Sequence, residues 1–259
     1  MSGSEAHTER MVNPELTALR QSAEVLQYRL GDHDVRISRR NASGGRSPGA
    51  PISGVVDKEA GQSGSEIRLH RPNADGGVLF VGEGNLSFAL TMSRKPRVPA
   101  SSILATVYEA EDDLTDTAYD NARKLLKLGC SVKTGVDATR LSDTIGERQF
   151  QTIVFQFPNV ASRDPRYGQN PNHVLVTRFL KNAHNHLKPG GLVIISTVDS
   201  PFCEGAFKMD EAACKAGFAA PAVYSFAPKD YPGYTHQNTA NEESAADGHT
   251  AFATFVFSG

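Results

Sequence analysis

Gly76-Gly77-Val78-Leu79-Phe80-Val81-Gly82-Glu83-Gly84-Asn85-Leu86-Ser87-Phe88 decides the fold of this chain. Four apolar residues in a row, bounded by glycines, predict a strand covered on both faces. Gly82 and Gly84, two apart, allow the chain to turn sharply and a ligand to approach the backbone closely. Asn85 and Ser87 are helix-capping residue types, and a helical stretch over 86–93 follows. A strand that runs through a glycine turn into a helix is the opening unit of a parallel α/β sheet.

The pattern continues outward from this unit. Apolar strands are expected at 103–108, 131–136, 152–155, 192–197, near 221–226 and at 251–257. Helices are expected at 112–127, 141–147, 171–187 and near 204–216. Strands alternating with helices predict a mostly parallel sheet with helices on both faces. The last strand, Ala-Phe-Ala-Thr-Phe-Val-Phe, follows a long loop and fits an antiparallel edge. The fold class is therefore α/β, a seven-stranded Rossmann-like sheet occupying 75–259.

The N-terminal third has a different texture. Residues 13–31 carry Leu16, Leu19, Ala23, Leu26 and Leu30 at helical spacing and predict a helix there, within an N-terminal extension over 1–34 that could close as a lid. Gly, Ser, Ala and Pro supply 15 of the 24 positions from 41 to 64, a linker composition within 35–74. The alternating stretches 35–38 and 67–70 flank it and are expected to pair as a short β-ribbon.

Candidate site residues sit at the strand tips, where open parallel sheets bind ligands. Gly82, Glu83, Gly84, Asn85 and Ser87 form the first turn. The second strand ends Tyr108-Glu109-Ala110-Glu111, and a carboxylate there suits a ribose diol, with Glu109 first and Glu111 as fallback. The third tip carries Asp137 and Ala138, where a carboxylate accepts from an adenine amino group. The position of a third glycine holds Ser87, which favours S-adenosylmethionine (SAM) over a dinucleotide. The fourth tip reads Phe155-Gln156-Phe157-Pro158-Asn159. This polar–aromatic–proline segment resembles the Asn/Asp-Pro-Pro-Tyr/Phe loop of amino-methylating enzymes, which implies that it holds an acceptor nitrogen in line with a methyl donor. Gln156, Phe157, Asn159 and Tyr108 are the catalytic candidates. Phe155 joins the cofactor set, with only one of the two phenylalanines expected to face the ligand.

Composition narrows the rest. A formal net charge of −2 gives no general attraction to a polyanion. Three cysteines without ligand spacing predict free thiols, no metal and a reducing, cytoplasmic setting. The first twenty residues lack the apolar core of a secretory signal, and no apolar run is long enough to span a membrane.

The motifs together resemble the 25S rRNA uridine N-3 methyltransferase family, within the class I SAM-dependent methyltransferases. The resemblance rests on VGEGNLSFAL, ILATVYEAEDDL with Tyr119 beyond it, LGCSVKTGVDATRL, IVFQFPN, HLKPGGLVIIST and YPGYTHQNT at 231–239. It covers about residues 76–257. It implies SAM binding by Gly82, Glu83, Gly84, Glu109 and Asp137, a reaction centre at 156–159, and a substrate pocket rim of Tyr231, Tyr234 and His236. The family usually shows Asn-Phe-Pro-His where this chain has Gln156-Phe157-Pro158-Asn159. It usually carries basic residues where this chain has Gln237 and Asn238.

Three enzyme functions fit these features. N-methylation of a small molecule or uracil-like heterocycle is favoured by the mild acidity and the missing basic residues. N-3 methylation of uridine in rRNA follows from the resemblance. A SAM-only cyclisation to azetidine-2-carboxylate and methylthioadenosine needs an enclosed aromatic pocket and no acceptor. A SAM sensor without activity gives no reason for the polar fourth tip.

Overall fold

The structure is a computed structural model that describes residues 77–95, 98–160, 162, 164–237, 244, 246 and 248–259, together with the backbone of four strands between residues 23 and 68. The strands are β1 (Ala23–Leu30), β2 (His33–Arg40), β3 (Val56–Asp57), β4 (Glu66–Arg68), β5 (Val78–Val81), β6 (Ile103–Thr106), β7 (Ser131–Lys133), β8 (Phe150–Gln156), β9 (Leu187–Val198), β10 (Ala222–Phe226) and β11 (Phe252–Ser258). The helices are α1 (Ser87–Ser93), α2 (Asp116–Lys127), α3 (Leu141–Ile145), α4 (Pro171–Asn185), α5 (Pro201–Phe207) and α6 (Met209–Ala216).

Seven strands form the predicted sheet in the order β7-β6-β5-β8-β9-β11-β10. The pairs from β7 through β9 are parallel, and β11 runs antiparallel to both β9 and β10. The strand order reverses at β5, which has β6 on one side and β8 on the other. Their C-terminal tips splay there into a crevice, the place where such sheets bind ligands.

The period-2 pattern of β5 explains the two cores. Val78 and Phe80 join Phe88, Leu90 and Leu125 on the face covered by α1 and α2. Leu79 and Val81 join Leu141, Phe179, Leu180 and Ala212 on the face covered by α3, α4 and α6. Phe179 is fully buried, and truncating such a ring to alanine costs about 3–5 kcal/mol. Helix starts follow local chemistry: Thr115, Asn170 and Ser200 accept amides of the first turns of α2, α4 and α5. The helix expected near 204–216 is two helices, broken where Lys208 adopts φ 47°.

The N-terminal expectation fails where it can be compared. Residues 13–22 lie outside the described residues, and 23–30 form strand β1 rather than helix. β1 pairs antiparallel with β2 from Ala23↔Arg40 to Leu30↔His33. That register leaves two residues, Gly31-Asp32, between the strands, a Gly-Asp pair of the type and length that closes hairpins. This turn signal outweighs the helical spacing of the leucines. Residues 35–38 lie in β2 and 67–68 in β4, and among the described residues these strands do not pair with each other, while 69–70 lie outside the described residues. β4 pairs parallel with β1, and β2 meets β10 at Tyr224↔Arg39.

Candidate active site

The strand tips enclose a cleft of about 530 Å³, within the range of small-molecule sites. Gly82, Glu83, Gly84 and Asn85 line it from the first turn, and Tyr108, Asp137 and Ala138 from the second and third tips. Phe155, Gln156, Phe157 and Asn159 line it from the fourth, with Tyr234 and His236 at the rim. The structure therefore brings together most of the residues expected from sequence.

Gly82 is required on two counts. Its φ is +61°, and a Cβ there would lie 2.7 Å from the Phe155 ring. Phe155 is itself held edge-on by Phe179, with ring centroids 4.9 Å apart. Glu83 follows, 5% exposed, and both carboxylate oxygens accept from the Ala89 amide at 3.1 and 3.0 Å. Glu83 thus caps α1 from inside the glycine turn. Burial pushes its carboxyl up to about 8, and the Ala89 amide only partly offsets this.

Asn85 lines the cleft, and its side-chain amide is also engaged by the 235–237 segment. Its Nδ2 lies 3.1 Å from the Thr235 carbonyl, 3.0 Å from Thr235 Oγ1 and 2.9 Å from Gln237 Oε1. Its Oδ1 accepts from the Ser87 amide at 3.1 Å. Ser87 does not line the cleft. Its hydroxyl donates to the Thr235 carbonyl at 2.9 Å and accepts from the Thr235 amide at 3.1 Å. The reason is geometric: Leu86 turns left-handed (φ 60°) and the following residue is tucked beneath the 231–237 segment.

Glu109 is half-buried and does not line the cleft, but its Oε2 is buried without a hydrogen-bond partner among the described groups. Glu111 is exposed in a 3-10 turn over Glu111–Asp113. Asp137 Oδ1 accepts from the Thr139 amide and hydroxyl, both at 2.8 Å, which fixes the carboxylate at the third tip. Tyr108 belongs with this group. Val136 donates to the Val107 carbonyl at 2.9 Å and Gly135 to the Glu109 carbonyl at 2.7 Å, so Tyr108 stands beside the Asp137 loop. It is separated from the β8 tip by β5, apart from the other three catalytic candidates.

At the β8 tip Gln156 Oε1 is buried and has no partner among the described groups. Phe157 has φ 50°, a strained conformation for a bulky residue. This turn reverses the side on which Phe157 packs. Residues two apart on a strand share a face, yet Phe155 packs with one core and Phe157 with the other. Both line the cleft, contrary to the expectation that one would. Phe157 meets His236 with centroids 4.8 Å apart, and Phe226 and Phe252 behind it at 5.7 and 5.6 Å.

The rim residues divide. Tyr231 is buried, stacked on Phe226 at 5.1 Å and tilted against Phe88 at 4.9 Å, so it supports the rim from the core. Aromatic packing claims it because Phe88 and Phe226 present rings from two elements. Tyr234 lies over Phe88 at 5.2 Å, with its hydroxyl 3.5 Å from His236 Nδ1. Burial, the Glu83 carboxyl and Tyr231 all push the Tyr234 phenol up, so it stays protonated.

Two residues escaped the sequence reading. Asn172, in the first turn of α4, accepts from the Val160 amide at 2.7 Å and anchors the 156–160 loop. Arg166, which belongs to none of the sequence motifs, lines the cleft. The Asn170-Pro171-Asn172 helix start was a signal for the first. Nothing in sequence spacing signals the second. Among the described residues no His, Cys, Asp and Glu cluster could hold a metal, and no helix is long and apolar enough to cross a membrane. Cys130, Cys203 and Cys214 are free thiols, as expected.

The site fits SAM on its own chemistry. The Gly82 backbone leaves room where a Cβ would close the turn, Asp137 lines the cleft with an acceptor of the kind an adenine amine needs, and the buried Glu109 oxygen just outside the lining lacks a donor of the kind a ribose diol offers. Comparison with known proteins agrees. Residues 79–238 match the BMT5-like family, described as rRNA (uridine-N3-)-methyltransferase BTM5-like. An uncharacterized protein of Arabidopsis thaliana is 30% identical over 170 residues, covering 61% of this chain and 79% of that protein. The human ferredoxin-fold anticodon-binding domain-containing protein 1 is 29% identical over 173 residues, covering 61% of this chain but only 27% of its own length. Among solved structures, TrmN of Thermus thermophilus has 17% identity and a TM-score of 0.46, covering 71% of this chain and 44% of its own. A Pyrococcus furiosus methyltransferase has 18% identity and a TM-score of 0.45, covering 73% and 79%. With more than half of its length matched, the chain belongs to the BMT5-like family of SAM-dependent rRNA (uridine-N3-)-methyltransferase-like enzymes.

Proposed function

We propose that the chain methylates a ring nitrogen of a uracil-type base, with uridine in RNA as the acceptor that its family favours. The observation that carries this reading is Gln156. Its Oε1 is buried at the cleft and lacks a donor among the described groups. Leaving such an acceptor unpaired costs about 1–3 kcal/mol, which an imide N–H of the acceptor base would recover. SAM, when bound, supplies an electrophilic methyl on a sulfonium. Glu109 and Asp137 would hold its ribose and adenine, with Tyr108 stacked on the adenine side. Phe157 and Tyr234 give the acceptor flat apolar walls. His236 lines the same cleft and is of the type that takes a proton near neutrality. His236 would take the proton that the imide nitrogen gives up once Gln156 has oriented the base, and SAM, when bound, would supply the methyl group. A free uracil-like small molecule would use the same contacts. Three free cysteines fit a reducing compartment, and the cytoplasm is our expectation.

A second reading has its own observation. Glu83 lies in the glycine turn, lines the cleft, and its carboxyl is raised by burial to about 8. Once ionised, above about pH 8, this carboxylate could take the proton of an ammonium group. SAM itself would be the substrate: its amine nitrogen bonds to the γ-carbon, the sulfonium bond to that carbon breaks, and the proton goes to Glu83. The products would be azetidine-2-carboxylate and methylthioadenosine, with Phe155, Phe157 and Tyr234 around the sulfonium.

One experiment separates them. Protein is incubated with SAM alone and with SAM plus a uridine-containing oligoribonucleotide, and the products are read by mass spectrometry. 3-Methyluridine only in the second tube supports the first reading. Methylthioadenosine with azetidine-2-carboxylate in the first tube replaces it with the second. Intact SAM in both tubes overturns both for these substrates.

A further inference from the structure

We propose that Tyr167, at the tip of a rigid turn beside the cleft, is a stacking platform for a nucleotide flanking the target base in single-stranded RNA. The proposal rests on the uracil reading and adds to it a surface that the reading does not need.

The turn is tightly specified. Arg166 and Gln169 exchange backbone hydrogen bonds at 2.9 and 3.0 Å, closing a two-residue loop. Both loop residues are left-handed, Tyr167 at φ 56° and Gly168 at 70°. Two positive φ angles are the signature of a type I′ turn, whose first position favours Asn, Asp or Gly. Tyrosine there is strained. It gains no burial in return, because Tyr167 is 80% exposed. Burial therefore gives no reason for tyrosine at this position. Backbone strain that burial does not repay points to function.

The ring is also held in place. Arg178 on α4 donates to the Tyr167 hydroxyl at 3.2 Å, and its guanidinium lies 5.4 Å from the ring centroid. The neighbouring Arg166 lines the cleft. An exposed, braced aromatic ring with a cleft-lining cation as its chain neighbour matches what single-stranded nucleic acid requires. The ring stacks a base and the cation meets the phosphate between that base and the one in the cleft. Stacking also fits a chain whose formal net charge of −2 leaves little for general phosphate attraction.

The test combines binding and catalysis. Binding of a fluorescein-labelled oligouridine is followed by anisotropy for wild type, Tyr167→Ala, Tyr167→Phe and Arg166→Ala. SAM affinity is measured by calorimetry as a check on folding. Removing a base–aromatic stack corresponds to about a tenfold loss of affinity. Tyr167→Ala is expected to weaken oligouridine binding about tenfold and to leave SAM affinity unchanged, and Tyr167→Phe to restore most of the loss. Arg166→Ala is expected to lower the salt dependence by about one phosphate contact. In methylation assays Tyr167→Ala should raise KM for the oligonucleotide but not for free uridine. Absence of wild-type binding to oligouridine at low salt, or equal binding by Tyr167→Ala, overturns the platform. Tyr167-dependent binding without methyl transfer keeps the platform and removes the uracil reading instead.

Discussion

Asn85 Nδ2 lies 3.0 Å from Thr235 Oγ1, joining residues 150 positions apart in sequence. The glycine turn that faces the cofactor is thereby tied to the segment that carries Tyr234 and His236. Gln237 completes the joint by accepting from the same amide at 2.9 Å. A lysine or arginine has no acceptor. The glutamine that replaces the family's usual basic residue therefore adds a bond to this joint that a basic side chain could not make.

This relationship predicts a split effect for Asn85→Ala. Loss of the amide removes the Asn85 donor from Thr235 Oγ1 and Gln237 Oε1, leaves the Thr235 carbonyl to Ser87 alone, and loosens the rim while the backbone of the glycine turn persists. We expect turnover to fall about tenfold or more, from a cost of about 1–3 kcal/mol, with a smaller loss of SAM affinity. Calorimetric titration with SAM alongside steady-state kinetics checks this, and equal losses in both would return Asn85 to the cofactor set.

Glu109 carries a second prediction. Its buried Oε2 lacks a donor among the described residues, whereas Asp137 Oδ1 is already satisfied by Thr139. Replacing Glu109 by alanine should weaken SAM binding about tenfold or more, since a lost hydrogen bond to a charged group costs about 1.5–3 kcal/mol. The apo protein should be no less stable, because no bond among the described residues is lost with that oxygen. Thermal unfolding with and without SAM reads both quantities. A destabilised apo protein with normal SAM-induced stabilisation would show that the carboxylate serves the fold.

The fold was legible because the alternation of apolar strands and capped helices over 76–258 is local information. Val78–Val81 was read to the residue, and the strand tips followed from it. Those parts of the site set by nonlocal contacts were not legible. Ser87 and Tyr231 have the right spacing for ligand contacts, but Thr235 and Phe88 claim them across long sequence separations. Arg166 enters the cleft only because a two-residue turn places it there. In the N-terminal region two local signals competed, and the hairpin at Leu30↔His33 prevailed over the leucine spacing.

Glu83 predicts a pH dependence of stability. Its carboxyl rises from an ordinary 4.5 to about 8 because burial disfavours the charged form. The folded state then holds a proton that the unfolded state releases between those values. Stability from this group is complete below about 4.5, falls as pH rises, and is lost above about 8. The slope within the window approaches about 1.4 kcal/mol per pH unit. Glu83→Gln keeps an acceptor for the Ala89 amide and removes the titration. Urea unfolding across this window should show a slope in wild type that is flatter by up to that amount in the variant. Identical pH profiles would mean that Glu83 is not protonated in the folded protein.

Gly82→Ala tests whether the turn and the β8 tip form one packed unit. The added methyl group would sit 2.7 Å from Phe155 Cε2 at a backbone φ of +61°. The left-handed conformation alone costs about 1–2 kcal/mol for a residue with a Cβ. The ring cannot retreat freely, because Phe179 stands edge-on behind it at 4.9 Å. The turn must therefore open, or the Phe155 end of β8 must shift. Either movement displaces Gln156, the next residue along, from its place in the cleft. We expect a loss of about 2–5 kcal/mol in stability, the backbone cost plus about 1–3 kcal/mol for overpacking, together with a loss of turnover that excess SAM does not restore. Gly82→Ala combined with Phe155→Leu removes the ring edge while leaving the strained φ. If the steric account is right, the double variant recovers the overpacking share of stability but not the backbone share. No recovery would place the whole cost in the backbone conformation, and the requirement for glycine would then be independent of Phe155.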